Sequence, residues 1–238
     1  MPTPEESSAA LAILIDGDNA SSDIFKGLID EVAKFGRATV RRIYGDWTKP
    51  NLGKWKELLL EHSIQPIQQF AYTTGKNATD STMIIDAMDL LYAGNLDGFC
   101  IVSSDSDFTR LASRLKESGK RVYGFGEKKT PRPFVAACDR FIYTEVFTRA
   151  TGEGPQRTVA AELDRDREFI DFVGGAIDDA SDDNGWANLG AVGSILTKKQ
   201  PDFDSRNYGY GKLSDLIDAS RHFEVKRSDK VITVRRVK

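Results

Sequence analysis

The sequence predicts an α/β protein in which a doubly wound parallel sheet is followed by a second, smaller winged-helix domain. Short apolar segments alternate with amphipathic helical patterns over residues 11–148, an order typical of parallel strands joined by helices. The apolar runs Ile13–Ile15 and Phe99–Val102 are continuous, as expected for strands that are buried on both faces. After residue 161 the order changes to helices followed by two alternating strands, which is typical of a winged helix.

Strands and helices alternate throughout the first part of the chain. LAILID is the first strand, and the apolar spacing from Ile24 to Phe35 predicts a helix that Ser21 or Ser22 caps and Gly36 terminates. The remaining predicted strands are ATVRRIYG, IQPIQQFAY, GFCIVSS, KRVYGFG and RFIYTEVF. The helices between them are KWKELLLEH, DSTMIIDAMDLLYAG, DFTRLASRLKESG and a short helix from Phe134 to Ala137.

The polar, glycine-rich segment TRATGEGPQRT predicts a linker between two domains. We therefore expect a disordered leader over residues 1–10, the sheet domain over 11–148, the linker over 149–161 and the winged-helix domain over 162–238. In the last domain the predicted helices are LDRDREFIDFVGGAIDDA, LGAVGSILTKKQ and KLSDLIDAS. The final residues, FEVKRSDKVITVRRVK, predict two strands joined at RSDK.

The composition limits the classes of protein to which the chain can belong. A net charge of −3 excludes a basic field over the whole molecule, so a nucleic acid would have to bind a local patch. Cys100 and Cys138 are the only cysteines, which predicts neither a disulfide framework nor a zinc site. Without a signal-peptide pattern or an apolar run as long as a membrane span, we expect a cytoplasmic protein with no membrane partner.

Four aspartates from three separate segments are predicted to meet at one edge of the sheet. Asp16 ends the first strand, and Asp105 and Asp107 follow the fourth strand in IVSSDSDF. Asp80 begins the helix that precedes the fourth strand. Ligands of open α/β sheets bind at the carboxyl ends of the strands, where the strand order reverses. If the first and fourth strands are neighbours there, their ends lie roughly 5 Å apart, and the four carboxylates could converge.

Such a group of acids favours a divalent metal ion. Two carboxylates ~4 Å apart repel each other by about 4 kcal/mol at an effective dielectric constant near 20. A set of oxygen ligands alone suits Mg²⁺ or Mn²⁺, which can activate water for attack on a phosphodiester. The two histidines, His62 and His222, lie far from this motif in the sequence, so nucleophilic catalysis is the weaker hypothesis.

The same segments resemble a known family. In order and spacing, LIDGDN, KNATDSTMIIDAMDLL and IVSSDSDFTRLASRLKESGKRVYGFG are similar to motifs of the NYN domain, a branch of the PIN-like nucleases. The resemblance implies a PIN-like fold and a ribonuclease activity that depends on Mg²⁺ or Mn²⁺. It implies that Asp16, Asp80, Asp105 and Asp107 are the catalytic and metal-binding residues, and it identifies Asn19 as the asparagine of the first motif. Ser104 replaces the glycine of the more usual SGDxDF motif.

Each acid also has a purely structural interpretation, which the sequence leaves open. Asp105 and Asp107 could cap the following helix, Asp16 could be a solvated strand end, and Asp80 could be an acid in the first turn of its helix. Asp86 is more simply explained as part of a polar helix face, although it stays a minor candidate ligand.

Several polar and aromatic residues are expected to support the acidic site. Asn19 either stabilises its turn or positions Asp16 and the substrate. Ser103 is likewise predicted to support the carboxylates. Lys76 could contact a phosphate of RNA or be solvated. Trp47 and Trp55 flank a basic loop, where stacking on bases and packing in the core are both open.

The second part of the chain resembles the OST-HTH domain, also called LOTUS, in WANLGAVGSILTKKQPDFDSRNYGYGKLSDLIDASRHFEV. The resemblance implies binding to RNA or to RNA-associated proteins. Basic residues that could contact phosphates concentrate here, and they are Lys198, Lys199, Arg206, Lys212, Lys226, Arg227, Arg235 and Arg236. An ordinary solvated surface explains them equally well. Tyr208 and Tyr210 could stack on bases or fix their turn.

Together these observations predict an endonucleolytic, metal-dependent ribonuclease that acts on single-stranded RNA and carries an RNA-binding module. The alternative is a non-catalytic RNA-binding protein with an idle PIN-like site. A phosphatase of the haloacid dehalogenase type, suggested by DGDN, is disfavoured. That chemistry needs Thr or Val two residues after the second aspartate, whereas this sequence continues with Asn19 and Ala20.

Overall fold

The structure is a computed structural model that describes residues 9–70, 78–147, 157–228 and 231–237. It divides into two compact units, Met1–Thr148 and Arg149–Lys238. Most of the predicted leader and much of the predicted linker lie outside the described residues, as does Lys76.

The first unit is built on six parallel strands with helices between them. The strands are β1 (Ala10–Asp16), β2 (Arg37–Gly45), β3 (Gln65–Gln68), β4 (Gly98–Val102), β5 (Arg121–Gly126) and β6 (Arg140–Tyr143). The helices are α1 (Phe25–Val32), α2 (Gly53–Glu61), α3 (Ala78–Ala93), α4 (Thr109–Glu117) and α5 (Arg132–Ala137). Their alternation confirms the predicted α/β class.

The strand order β3-β2-β1-β4-β5-β6 reverses between β1 and β4. The chain adds strands outward from β1 toward β3, then returns to the other side of β1 and continues to β6. Ile15 pairs with Val102 across the β1–β4 ladder. The residues that follow this pair, Asp16 and Ser103, therefore leave the sheet side by side at the switch point.

Continuous apolar strands are explained by a core on each face of the sheet. In β1, Ala12 and Leu14 belong to one buried cluster, while Leu11, Ile13 and Ile15 belong to the other. Side chains of a strand alternate between faces, so a strand covered on both sides must be apolar at every position. The predicted burial of the first strand on both faces is confirmed.

The first helix ends differently from the prediction. A short 3-10 turn over Ser22–Ile24, capped by Ser21, precedes α1, which ends at Val32. Gly36 was predicted to terminate this helix, but the helix ends four residues earlier, and Gly36 is absent from the positive-φ residues. A β-carbon at Gly36 would lie 2.4 Å from the carbonyl oxygen of Ala9, so close backbone approach explains this glycine.

The second unit combines helices with a small antiparallel sheet. Its helices are α6 (Ala160–Leu163), α7 (Arg167–Ala180), α8 (Leu189–Lys199) and α9 (Leu213–Asp218). Its strands are β7 (Ala187–Asn188), β8 (Phe223–Arg227) and β9 (Ile232–Arg236), in the order β7-β9-β8. Helices followed by the β8–β9 hairpin confirm the predicted winged-helix architecture. Strand β7 was not predicted, since two residues are too few to show a pattern.

In the described part of the chain, no helix is both long enough and apolar enough to cross a membrane.

Candidate active site

Asp16 is buried at the switch point and fixed by two side chains. Its Oδ2 accepts hydrogen bonds from Asn19 Nδ2 at 2.7 Å and from Ser103 Oγ at 2.8 Å. Asn19 reaches it because the chain turns immediately after β1, with the Ala20 N–H donating to the Asp16 carbonyl. The side chains of Asn19 and Ser103 therefore orient one oxygen of Asp16 and leave the other for a further contact.

The segment after β4 is ordered by its own polar side chains. Ser103 Oγ accepts from the Asp105 N–H at 3.1 Å, and Asp105 Oδ1 accepts from the Asp107 N–H at 2.9 Å. Asp105 is thus the N-cap of the turn Ser106–Phe108 that leads into α4. The capping interpretation holds for one oxygen of Asp105. It does not explain the position of Asp107, whose carboxylate belongs to the group described next.

Asp80, Asp105 and Asp107 come together although they lie on separate segments. Each offers one carboxylate oxygen, and these three atoms all lie within 4.8 Å of one another. Asp80 is buried in the first turn of α3, while Asp107 is exposed at the start of the turn before α4. Asp16 is not a member of this closest group, but it is the first of the charges that raise the pKa of Asp80.

Two acids of the site, Asp80 and Asp16, have raised pKa values. Burial, and after it the neighbouring carboxylates of Asp16, Asp105, Asp107 and Asp18 in that order, raise the pKa of Asp80 to about 6. Burial also raises the pKa of Asp16, against the hydrogen bonds from Asn19 and Ser103, which lower it. The repulsion inferred from the sequence is therefore present in the folded protein.

The donor atoms fit a hard divalent cation. Oδ1 of Asp16 is buried and has no hydrogen-bond partner among the described residues. A buried carboxylate oxygen without a donor is costly unless a cation or water satisfies it. Beside it, the three-aspartate group supplies only oxygen ligands, as Mg²⁺ and Mn²⁺ prefer.

Asp86 is hydrogen-bonded by two side chains of a neighbouring strand, and this was not predicted. Arg42 Nη1 and Tyr44 Oη both donate to its carboxylate. Arg42 and Tyr44 lie on β2 and Asp86 on α3, so these contacts tie the helix that carries Asp80 to the strand beside β1. Arg42 and Tyr44 are two residues apart in a strand and so lie on the same face of the sheet, which is the sequence pattern that could have indicated these contacts. A role of Asp86 as a metal ligand is disfavoured by these contacts.

The two predicted aromatic candidates of this unit pack inside it. Trp55 is buried, and its indole N–H donates to the Ala20 carbonyl at 3.1 Å. Trp47 packs partly against the same core, and its indole N–H donates to the Ile67 carbonyl at 3.1 Å. These contacts favour the packing interpretation over base stacking.

Ser104, the departure from the usual motif, is accommodated without strain. Its Oγ accepts from the Glu127 N–H at 2.8 Å, which links the end of β4 to the end of β5. Ser63 is the positive-φ residue other than glycine in the described chain, so Ser104 does not need the conformation that glycine alone adopts easily.

Most of the predicted basic residues of the second unit are paired with acids. The five that form such pairs are Lys199 with Asp179, Arg206 with Asp204, Arg227 with Asp218, Arg235 with Glu224 and Arg236 with Asp171. In the described chain, Lys198, Lys212 and Lys226 are exposed and have no such partner. The predicted basic patch is therefore largely a set of compensated charges, as the alternative interpretation expects.

Tyr208 and Tyr210 belong to the core of the second unit. Tyr210 is buried, and its hydroxyl donates to the Thr158 carbonyl at 2.8 Å. The ring of Tyr208 packs against Phe169, with centroids 5.3 Å apart, and burial raises its pKa to about 12. These contacts favour the turn-fixing interpretation over base stacking, because the Tyr210 ring is buried and the Tyr208 ring is partly buried against the core.

Two family models match the chain. The NYN domain matches residues 10–145, and the OST-HTH/LOTUS domain matches residues 168–233. The predicted resemblance to both families, in that order, is confirmed.

The chain is also similar to a curated protein of unknown function. An uncharacterized protein of Methanocaldococcus jannaschii is 29% identical over 121 residues, which are 49% of this chain and 47% of the relative. The chain thus matches about half the length of this curated relative.

Three solved structures are also similar. A protein of unknown function from Vibrio parahaemolyticus has 18% identity and a TM-score of 0.47, covering 59% of this chain and 94% of that one. An uncharacterized protein of Nitrosomonas europaea has 45% identity and a TM-score of 0.26, and the match covers 29% of this chain and 72% of that one. A Chromobacterium violaceum protein has 37% identity and a TM-score of 0.24, and the match covers 28% of this chain and 77% of that one.

Proposed function

Because the chain belongs to the NYN domain family, which matches residues 10–145, we propose that it is a ribonuclease that hydrolyses RNA phosphodiesters endonucleolytically with Mg²⁺ or Mn²⁺. The observation that carries the proposal is the convergence of Asp80, Asp105 and Asp107 within 4.8 Å beside the buried, unpartnered Oδ1 of Asp16. Carboxylates this close together repel one another, and such a group is expected where a bound cation offsets the repulsion.

In this proposal Asp80, Asp105 and Asp107 hold the metal, and Asp16 binds it through Oδ1. A divalent ion in this position supplies a more acidic water and stabilises negative charge on the phosphate. Asn19 and Ser103 keep the Asp16 carboxylate in a single orientation through its Oδ2. The exposed Asp107 can instead accept a hydrogen bond from the attacking water and orient it toward the phosphorus.

The second unit is proposed to bind RNA and keep it near the acidic site. Its match to the OST-HTH/LOTUS domain supports this role. A tethered binding module raises the local concentration of its ligand at the other domain. Single-stranded RNA is the proposed substrate form, and RNA-associated proteins are further candidate partners of this unit.

The proposal is tested with a labelled single-stranded RNA incubated with Mn²⁺ or with EDTA. We expect cleavage at internal positions in Mn²⁺ and none in EDTA. Asp105→Asn should lower the cleavage rate roughly 100-fold or more, because it removes a ligand charge. Asp89→Asn changes an exposed acid on α3 outside the three-aspartate group and serves as the matched control. Equal rates for Asp105→Asn and the unmodified protein would refute the assignment.

The second candidate function is RNA binding without cleavage. Asp105 also caps a turn, and this structural role would preserve the residue even at an idle site. Metal binding and RNA binding without product under any divalent ion would favour this alternative.

A further inference from the structure

Trp186 differs from the other two tryptophans in its surroundings. The indole N–H groups of Trp47 and Trp55 both donate to backbone carbonyls. Within the described residues the indole N–H of Trp186 has no protein acceptor, and its ring is not part of the hydrophobic cluster of the second unit. Trp186 is half-buried and lies outside the core, so part of its ring is open to solvent.

The backbone holds this ring at the outer face of the small sheet. Asp182 fixes residue 186, because its N–H donates to the Trp186 carbonyl at 2.9 Å and its Oδ1 accepts from the Trp186 N–H at 3.0 Å. In the sheet, Ala187 pairs with the buried Val234, which pairs with Val225. These three face the core, so pleating places their neighbours, including Lys226 and Arg235, on the outer face.

Two cations lie over the Trp186 ring. The guanidinium carbon of Arg235 is 4.8 Å from the ring centroid, and Lys226 Nζ is 6.0 Å from it. Arg235 is held in place by its cross-strand neighbour Glu224, which accepts from its Nε at 2.7 Å. Glu224 compensates the charge of Arg235, whereas Lys226 is exposed and has no acidic partner in the described chain.

We propose that Trp186, Arg235 and Lys226 form a binding site on the outer face of the β7-β9-β8 sheet for one unpaired nucleotide of single-stranded RNA. Aromatic and guanidinium planes receive a base by stacking, and an uncompensated lysine beside them contacts the adjoining phosphate. Among the described residues of this unit, Lys199, Arg206, Arg221, Arg227 and Arg236 are paired with acids, whereas Lys226 lies beside an aromatic ring without an acidic partner. The inference rests on the proposed RNA-binding role of the second unit and names the surface that performs it.

Binding is measured on the full chain in EDTA, where hydrolysis cannot interfere, with a fluorescein-labelled unstructured RNA of sequence CAACAACAACAA. Trp186→Ala should weaken binding about tenfold or more, and Trp186→Phe should restore much of the affinity. Lys226→Ala should weaken binding and reduce the slope of log affinity against log salt by roughly 0.7. Lys198→Ala, at another exposed and unpaired lysine of this unit, is the matched control and should have a smaller effect.

NMR of the indole N–H groups gives a second measurement. The chain has 3 tryptophans, so the spectrum contains few peaks, and Trp186→Phe assigns the relevant one. RNA should shift the Trp186 indole peak and leave those of Trp47 and Trp55 in place, because their N–H groups are already bonded inside the first unit. This measurement does not depend on whether a variant binds more weakly.

The outcomes separate this proposal from the proposed nuclease activity. Unchanged RNA affinity in Trp186→Ala together with an unshifted Trp186 peak would overturn the site and leave a protein partner for this surface. Equal weakening by Lys198→Ala and Lys226→Ala, with no effect of Trp186→Ala, would show diffuse charge binding only and would also overturn it. The nuclease proposal is tested by the effect of Asp105→Asn on the cleavage rate in Mn²⁺, which is measured separately from RNA affinity in EDTA, so the failure of either proposal is seen independently.

Discussion

Charge is distributed in opposite ways at the acidic edge of the first unit and on the surface of the second. Asp80, Asp105 and Asp107 lie together, and burial and mutual repulsion raise the pKa of Asp80 to about 6. On the second unit, cations such as Lys199 and Arg206 are matched by Asp179 and Asp204. Gathering carboxylates in this way costs stability, so the contrast supports the proposal that the acidic edge binds a cation.

Within the first unit, Asp86 contrasts with the three aspartates of the acidic edge, because Asp86 has a cationic partner, Arg42. Asp86→Ala should lower the free energy of unfolding by about 3 kcal/mol, since it leaves Arg42 and the buried Tyr44 hydroxyl without their acceptor. Urea unfolding followed by the fluorescence of the tryptophans measures the change. Asp89→Ala, at an exposed acid on the same helix, should change stability by less than ~0.5 kcal/mol. Similar values for both variants would contradict a structural role of Asp86.

Metal should stabilise the acidic edge and leave the second unit unchanged. At a Mn²⁺ concentration of 100 times the dissociation constant, the free energy of unfolding should rise by about 2.7 kcal/mol. The gain should shrink as the pH falls below about 6, because protons then compete with the metal for Asp80. Thermal unfolding with Mn²⁺ at pH 7.5 and pH 5, for the unmodified protein and Asp105→Asn, checks both effects. An equal gain in Asp105→Asn would place the metal elsewhere.

Without metal, ionisation of Asp80 should destabilise the protein. The folded-state pKa of Asp80, about 6, lies above the ordinary value of 3.8. Stability from this group is therefore present below pH ~4 and lost as the pH rises through 6. Asp80→Asn should stabilise the metal-free protein by roughly 1–2 kcal/mol at pH 7.5, after allowance for solvent screening, and by little at pH 4. Unfolding in EDTA at the two pH values measures this, and equal effects at both would contradict it.

The compensated charges of the second unit should matter least. Lys199→Ala removes an exposed ion pair with Asp179, and surface pairs of this kind contribute about 0.2–1 kcal/mol. The loss should decrease further in 1 M NaCl, where charges are screened within ~3 Å. Denaturant titrations at low and high salt test this. A loss above ~2 kcal/mol would mean that this surface is as strongly coupled to the fold as the acidic edge.

Local motifs made the acidic group predictable, whereas its internal contacts were not. LIDGDN and SSDSDF identified Asp16, Asp105 and Asp107 as strand-end residues. The short turn after β1 and the pairing of β1 with β4 explain why Asn19 and Ser103 both reach Asp16, but a sequence does not state which oxygen they occupy. The link from Asp86 to Arg42 and Tyr44 joins residues more than 40 positions apart and needed the packed structure.

The second unit shows where residue type misleads. Tyr208 and Tyr210 stand beside glycines and basic residues, yet Tyr210 is buried in the core and Tyr208 packs against it, whereas Trp186 lies outside it. Basic residues are equally ambiguous, because a sequence shows how many cations a segment holds and not which acids fold back onto them. Lys226 and Lys199 look alike in the sequence and differ only in their neighbours.

The sequence by itself determined the α/β class, the winged helix and the identity of the acids, because hydrophobic periodicity and short motifs act over neighbouring residues. The tertiary structure alone decided which charges are compensated, which rings are buried and which carboxylates share a site. Those properties depend on distances between segments that are far apart in the chain, and both pairing energies and pKa values change steeply over a few ångströms.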